Sequence, residues 1–418
     1  MDMGLIAILI SLSAFFMYLN YRYIKLPETI GIMILSLVFS LIVIMMQGFG
    51  LTDFKNLITL IQDIDFEKTL MQGMLSFLLF AGALHVNIND LAKQKWLILV
   101  LATIGVISST LLIGGITYII ITYLGFYPES YNLLIYCMLF GALISPTDPI
   151  SVLGILKEAK APKTLETKIV GESLFNDGVG VVVFLVIAQM LPSGGHGAHG
   201  NINPVVLFAQ EAIGGIIFGA LLGYIFYRLL KSIDNYSLEI LLTLSLVTGG
   251  YYLSGLLHIS GPIAMVVSGL FIGNHGKMFA MSETTHTQLF SFWELIDEFL
   301  NAVLFLLMGM IVVSISFNFS IIGMGLVLIP ITLIIRYLCI ASTVYSFAFF
   351  KKSFTKGAAK IMTWGGLRGG ISVAMALALP QSEFRDMFIL ITYIIVLFSI
   401  IVQGLTVKKL VTYHLKND

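Results

Sequence analysis

Two acids, a hydroxyl and an amide crowd together in Gly171-Glu172-Ser173-Leu174-Phe175-Asn176-Asp177-Gly178, inside a stretch otherwise apolar enough to be a membrane-spanning helix. A carboxylate at bilayer depth is costly, so it usually faces a cavity and serves an ion or proton pathway. Glu172 and Asn176 are four residues apart, as are Ser173 and Asp177, so each pair stacks on one helix face. The alternative is a polar network that only holds helices together. The other charges at this depth weigh against it.

Five charged residues fall inside apolar segments: Asp148, Glu172, Asp177, Arg336 and Arg368. A buried Arg favours bidentate carboxylate geometry, and the natural pairing sets Arg336 against Glu172. Asp177 then remains a carboxylate able to exchange its counter-ion. Asp148 and the Thr147 carbonyl stand at a helix break, where freed backbone carbonyls suit a hard cation. Arg368 stands at a second break and can neutralise half-helix ends that face each other with the same dipole sign. Removal of water favours the neutral carboxyl, so a proton can compete with a metal ion for such a site near neutral pH. Mutually exclusive binding with alternating access is exchange.

These side chains need a membrane scaffold to position them, and the composition supplies one. The 418 residues are 58% hydrophobic and 11% charged, against about 25% charged in soluble proteins, and the mean hydropathy is +0.98. The chain reads as an all-α polytopic membrane protein. With about 20 apolar residues needed per crossing, thirteen spans fall near 4–23, 28–47, 66–87, 97–124, 131–156, 165–191, 203–230, 237–257, 261–273, 284–314, 317–349, 356–379 and 384–412. Asp2 precedes the first apolar run and no basic region or cleavage site flanks it, so that run reads as a span rather than a signal peptide. Every second loop is basic: Arg22 and Lys25, Lys93 and Lys95, Lys157 to Lys168, Arg228 and Lys231, Lys277, Lys351 to Lys360, and Lys408 to Lys416. The opposite loops hold only Lys55, Lys68 and Arg385. The positive-inside rule then predicts an external N-terminus and a cytoplasmic C-terminus, and an even number of spans would break the alternation.

Two spans are interrupted. The fifth contains Ser145-Pro146-Thr147-Asp148-Pro149, and two prolines so close block a continuous helix. The twelfth contains Gly365-Gly366-Leu367-Arg368-Gly369-Gly370, whose glycines weaken a helix at mid-membrane. If the seventh span is a linker, spans one to six and eight to thirteen form inverted halves, with the breaks at matching positions. That arrangement points to a transporter's substrate site. Cys137 and Cys339 lie in apolar segments and read as packing residues. The His196 and His199 loop within 192–204 reads as a flexible external connection. The stretch from Phe292 to Phe299 reads as the interfacial start of a helix, with an acidic cation funnel as the alternative.

These motifs resemble the monovalent cation:proton antiporter family, in the branch of NhaP and NHE-type sodium/proton exchangers. The resemblance covers nearly the whole chain and rests on four motifs in order: Ser145 to Pro149, Gly171 to Asp177, Arg336, and Gly365 to Gly369. It implies an NhaP-like antiporter fold of thirteen helices as a single membrane domain over 1–418. A core at about 90–191 and 317–412 would move like an elevator against dimerisation helices at about 1–87 and 203–314. It implies a homodimer in the inner cell membrane, exchanging Na+ for H+, with Li+ and K+ as further candidate ions. Asp177 would carry cation and proton in turn. Thr147, Asp148 and Ser173 would complete the Na+ shell, Asn176 would support it, and Glu172 with Arg336 would form a structural ion pair. Asn176-Asp177, in place of two acids, resembles the electroneutral branch. No catalytic residue, resident cofactor, nucleic-acid partner or soluble regulatory domain is expected.

Two other classes compete with this reading. An intramembrane aspartyl protease could use Asp148 and Asp177 as its dyad, but Thr147 and Asn176 precede these acids, unlike the patterns of those proteases, and Arg336 is left unexplained. An ion channel would need a carbonyl filter or a ring of pore charges, and no such pattern is visible.

Overall fold

A computed structural model describes residues 3–48, 68–148, 150–159, 161–191, 203–277, 280–315, 318–349, 354 and 357–415. The loop bearing His196 and His199 lies outside these residues.

The described residues are helical, and the helices follow the hydropathy pattern closely. They are α1 (Met3–Leu19), α2 (Glu28–Gly48), α3 (Leu75–Leu84), α4 (Lys95–Tyr123), α5a (Tyr131–Ile144) and α5b (Ile150–Glu158), α6 (Lys163–Ala188), and α7 (Pro204–Lys231). There follow α8 (Tyr236–Leu256), α9 (Gly261–Phe271), α10 (Glu283–Met310), α11 (Phe319–Phe349), α12a (Ala358–Trp364) and α12b (Gly370–Leu377), and α13 (Arg385–His414). Eight of the described helices are long and apolar enough to cross a membrane by themselves; the remaining passages are short or broken. A short helix missed by hydropathy, Ile88–Lys93, links α3 to α4 and is capped by the Asn87 side chain, which accepts from the Asn89 and Asp90 amides.

The starts are set by local chemistry. Ser130, Asn203, Asn235, Ser260 and Ser282 each accept a backbone N–H of the first turn, capping α5a, α7, α8, α9 and α10. Pro204 and Pro262 occupy the first turns of α7 and α9, where no donor is needed.

Two sequence readings are corrected here. Phe292 to Phe299 is not the interfacial start of a helix, because α10 begins at Glu283 and runs through it. Trp293 is fully buried, donates from Nε1 to Thr243 Oγ1 at 3.0 Å and packs tilted against the Phe80 ring, so it packs the interior rather than a headgroup layer. Lys168, grouped by sequence with a basic loop, sits in the second turn of α6, buried, with its ammonium 4.2 Å from the Phe354 ring centroid.

Packing divides the helices. α5a packs on α4 and α6, while α13 packs on α11 and α12b, and α11 also touches α4 and α12a. Separately, α10 packs on α1, α2, α3 and α8, and α9 packs on α3, α7 and α8. α6 bridges the two groups against α7 and α9, and α10 touches α12b. Over their most apolar windows α6 is 83% buried, whereas α1 and α7 are 22% and 17% buried. The polar helix is therefore central, and the uniformly apolar ones lie at the rim.

Candidate functional site

The two breaks cross at the centre. The Asp148 N–H donates to the Leu367 carbonyl at 2.8 Å, joining one extended segment to the other. This close approach requires glycine at 369, where a Cβ would lie 2.7 Å from Asp148 Cβ. The crossing brings together the C-termini of α5a and α12a and the N-termini of α5b and α12b. Helix C-termini carry partial negative charge and N-termini partial positive charge. Arg368, buried, donates from Nη1 to the Pro146 carbonyl at 2.8 Å and also to the Ser145 carbonyl, at the end of α5a. Its own backbone N–H donates to Ser399 Oγ at 2.9 Å. Asp148 stands against Gly369, immediately before α12b, at a positive end. Each charge thus meets a dipole of opposite sign.

The α6 polar cluster docks onto this crossing. Thr147 N–H donates to Asn176 Oδ1 at 3.2 Å, and Asn176 Nδ2 donates to Thr147 Oγ1 at 3.0 Å. The backbone donor fixes which end of the amide is oxygen. Thr147 Oγ1 and Ser173 Oγ lie 2.9 Å apart in a further hydrogen bond. Ser145 Oγ donates to the Gly141 carbonyl at 2.7 Å and bonds Ser109 on α4 at 2.9 Å. Asn176 therefore works as a clamp that holds the broken segment of α5 on α6.

Glu172 and Asp177 point to different neighbours despite sharing a helix. Glu172 Oε1 pairs with Arg336 Nη2 of α11 at 3.2 Å, with side-chain exposures of 4% and 8%. The same Nη2 donates to the Met362 carbonyl of α12a at 3.2 Å. Arg336 thereby ties α11 to both α6 and α12a. Gly366 makes room for it, since a Cβ there would overlap the guanidinium. Gly366→Ala is accordingly expected to displace the guanidinium and destabilise the fold by about 1–3 kcal/mol. A detergent melting curve unchanged from wild type would show that Arg336 has other room.

Asp177 carries no ion pair among the described residues. It lines a cavity of about 50 Å³ with Thr147, Asp148, Asn301 and Ser372, closed by apolar side chains such as Leu78 and Leu174. That space has room for a few waters or one small cation with part of its hydration. Gly82 lines both this cavity and a wider one of about 540 Å³, whose walls include His85, Asn87, Asp90, Glu166 and Lys277. At its rim Asp90 bridges Lys93 and Lys163, each at 3.1 Å. Those two ammonium groups hold the Asp90 carboxyl below the usual carboxylate range.

The residues singled out by sequence thus lie together: Thr147, Asp148, Ser173, Asn176 and Asp177 at one crossing, with Glu172, Arg336 and Arg368 behind it. Sequence reading missed Asn301, on a helix remote from the motifs, and Ser109, a serine in an apolar run. An Asn four residues after Asp297, just before the apolar run from Ala302, was the available signal for the first.

The family described as "Sodium/hydrogen exchanger, transmembrane" matches residues 11–413. The chain belongs to this family. Among relatives, it is 48% identical over 413 residues to the Na(+)/H(+) antiporter NhaP of Pseudomonas aeruginosa, covering 98% of this chain and 96% of the relative. It is 34% identical over 394 residues to the Na(+)/H(+) antiporter NhaH of Halobacillus dabanensis, covering 93% and 92%. The fold matches that of the sodium proton antiporter MjNhaP1 from Methanocaldococcus jannaschii at pH 8, with a TM-score of 0.74 at 20% identity over 98% of this chain and 97% of that one. The NhaP-like fold expected from the sequence is therefore present. A sodium/hydrogen exchanger is a transporter.

Proposed function

We propose that the protein exchanges Na+ for H+ across the membrane, one for one, by alternating access, with either ion held in turn at Asp177. The carrying observation is the contrast between two acids on one helix: Glu172 is neutralised by Arg336, whereas Asp177 opens into a small cavity without an ion pair among the described residues. Thr147, Asp148 and Ser173 supply further oxygens, Asn176 holds Thr147 in place, and Arg368 neutralises the end of α5a. Li+ and K+ are alternative substrates, because an oxygen shell selects by size and ligand number.

Helices α4–α6 and α11–α13 form the moving core in this reading, and α1–α3 with α7–α10 form the scaffold. The protein sits in the cell membrane with its N-terminus outside and C-terminus in the cytoplasm, so the 540 Å³ mouth opens to the cytoplasm. The exposed apolar faces of α1 and α7 serve a homodimer.

The test uses purified protein in liposomes with an imposed pH gradient. Internal pH is followed while Na+, Li+, K+ or choline is added outside. Sodium- or lithium-driven proton movement is expected; a response to potassium alone would keep the mechanism and change the substrate, and no response to any cation would end this reading. One exchangeable carboxylate swapping one proton for one monovalent ion moves no net charge. The rate is therefore expected to ignore an imposed membrane potential, whereas one net charge would couple at about 2.3 kcal/mol per 100 mV. A sustained transport current would contradict the one-for-one stoichiometry.

A further inference from the structure

Resting on the antiport reading above, we propose that Asn301 of α10 is a state-specific cation ligand. Its side-chain oxygen joins the ion at Asp177 only in the conformation seen here, and is left behind when the core moves.

Asn301 is 4% exposed and lines the cavity that Asp177 and Asp148 share. Its Nδ2 donates to the Asp297 backbone carbonyl at 2.8 Å. Only the nitrogen end of an amide can face a carbonyl, so the orientation is fixed and the other end is oxygen. That Oδ1 is buried and has no hydrogen-bond partner among the described residues. Leaving a buried acceptor without a hydrogen bond is costly. A leucine of similar size, like the neighbouring Leu304 that lines the same cavity, would avoid that cost. Asn301 shares its cavity with Asp148 and Asp177, and an unpartnered amide oxygen there is suited to a desolvated cation, because hard cations take neutral carbonyl oxygens alongside carboxylates. Asp297, one turn earlier on the same face, also has a buried oxygen without a partner and lies within electrostatic range of Asp148.

The placement of Asn301 decides its role. Thr147, Ser173, Asn176 and Asp177 belong to α6 and to the α5 break hydrogen-bonded to it, and so travel together. Asn301 belongs to α10, which packs on α1, α2, α3 and α8 and meets the core through α12b. When the core slides, Asn301 cannot follow. Its oxygen therefore strengthens binding on one side of the membrane only, making the two faces of the exchanger unequal toward sodium.

The experiment measures sodium dependence of exchange in right-side-out and everted membrane vesicles from cells lacking other sodium/proton exchangers. Asn301→Leu is expected to raise the apparent sodium KM about tenfold, the effect of losing one ligand worth roughly 1.4 kcal/mol, at the face where the 540 Å³ mouth opens. The opposite face should change by less than about twofold, well under that tenfold step. Asn301→Asp, which keeps the oxygen in place, is expected to hold the KM at or below wild type. Should the leucine variant fail to fold, Asn301→Ser, whose hydroxyl is too short to reach, carries the same expectation. An equal rise at both faces, no rise at either, or an aspartate variant that behaves like leucine would overturn the proposal. Asp177→Asn is run alongside: if it still exchanges, the antiport assignment fails first, separately from Asn301.

Discussion

Asp177→Asn in liposomes is expected to show no sodium-driven proton movement above that of empty liposomes, while the purified protein melts at or above the wild-type temperature. The amide has the shape of the acid but takes no proton near neutral pH and offers no negative charge to a cation. Both halves of the exchange cycle are lost together. The fold should not suffer, because Asp177 is 4% exposed and makes no ion pair with a described residue. Replacing a buried acid of that kind with its amide breaks no ion pair and buries no new charge. The two readouts separate the roles available to this residue. Lost transport with a preserved melting point identifies a carrier; lost transport with a collapsed melting point identifies a structural group. Retained sodium-driven exchange would remove Asp177 from the mechanism.

Arg336→Ala is expected to do the opposite, reducing stability by about 3–5 kcal/mol because the Glu172 carboxylate is left buried without its partner. The pair is 3.2 Å apart and nearly dry, and Arg336 also satisfies the Met362 carbonyl of α12a. Losing it should loosen α11 from both α6 and the broken twelfth helix, lowering the detergent melting temperature by several degrees. The companion variant settles the cause. If the uncompensated charge is the problem, Glu172→Gln combined with Arg336→Ala should be more stable than Arg336→Ala alone, a coupling visible in a double-mutant cycle. Additive losses would place the effect in packing of the long side chain and not in the ion pair. Arg336→Lys should rescue only in part, since both contacts are made by Nη2, at the far end of a side chain longer than that of lysine.

Most of the architecture was legible because a membrane protein writes its helices in one code. Apolar runs must span the bilayer and lysines must stay in alternate loops, so helix boundaries such as those of α2 and α11 fall within two residues of the hydropathy reading. The breaks were equally plain, since Pro146 and the glycines around Arg368 cannot continue a helix. The short Ile88–Lys93 helix escaped because six amphipathic residues leave no hydropathy signal. The reading of Phe292 to Phe299 failed for a related reason: aromatic residues beside acids look alike at a membrane surface and in a polar interior. Only the neighbours of Trp293, Thr243 and Phe80 among them, tell which it is.

By itself the sequence determined which polar groups must be buried, that two helices must break, and that Arg336 needs an acid, because each follows from the cost of charge and unpaired backbone in a bilayer. Tertiary structure alone decided how those groups divide the work. Glu172 and Asp177 are five residues apart, so the helical turn sends them toward different neighbours. One meets Arg336, the other a cavity walled by Asp148 and Asn301. The sequence holds no distance between α6, α11 and α10; packing sets those distances, and with them which carboxylate is pinned and which is left to exchange its ion.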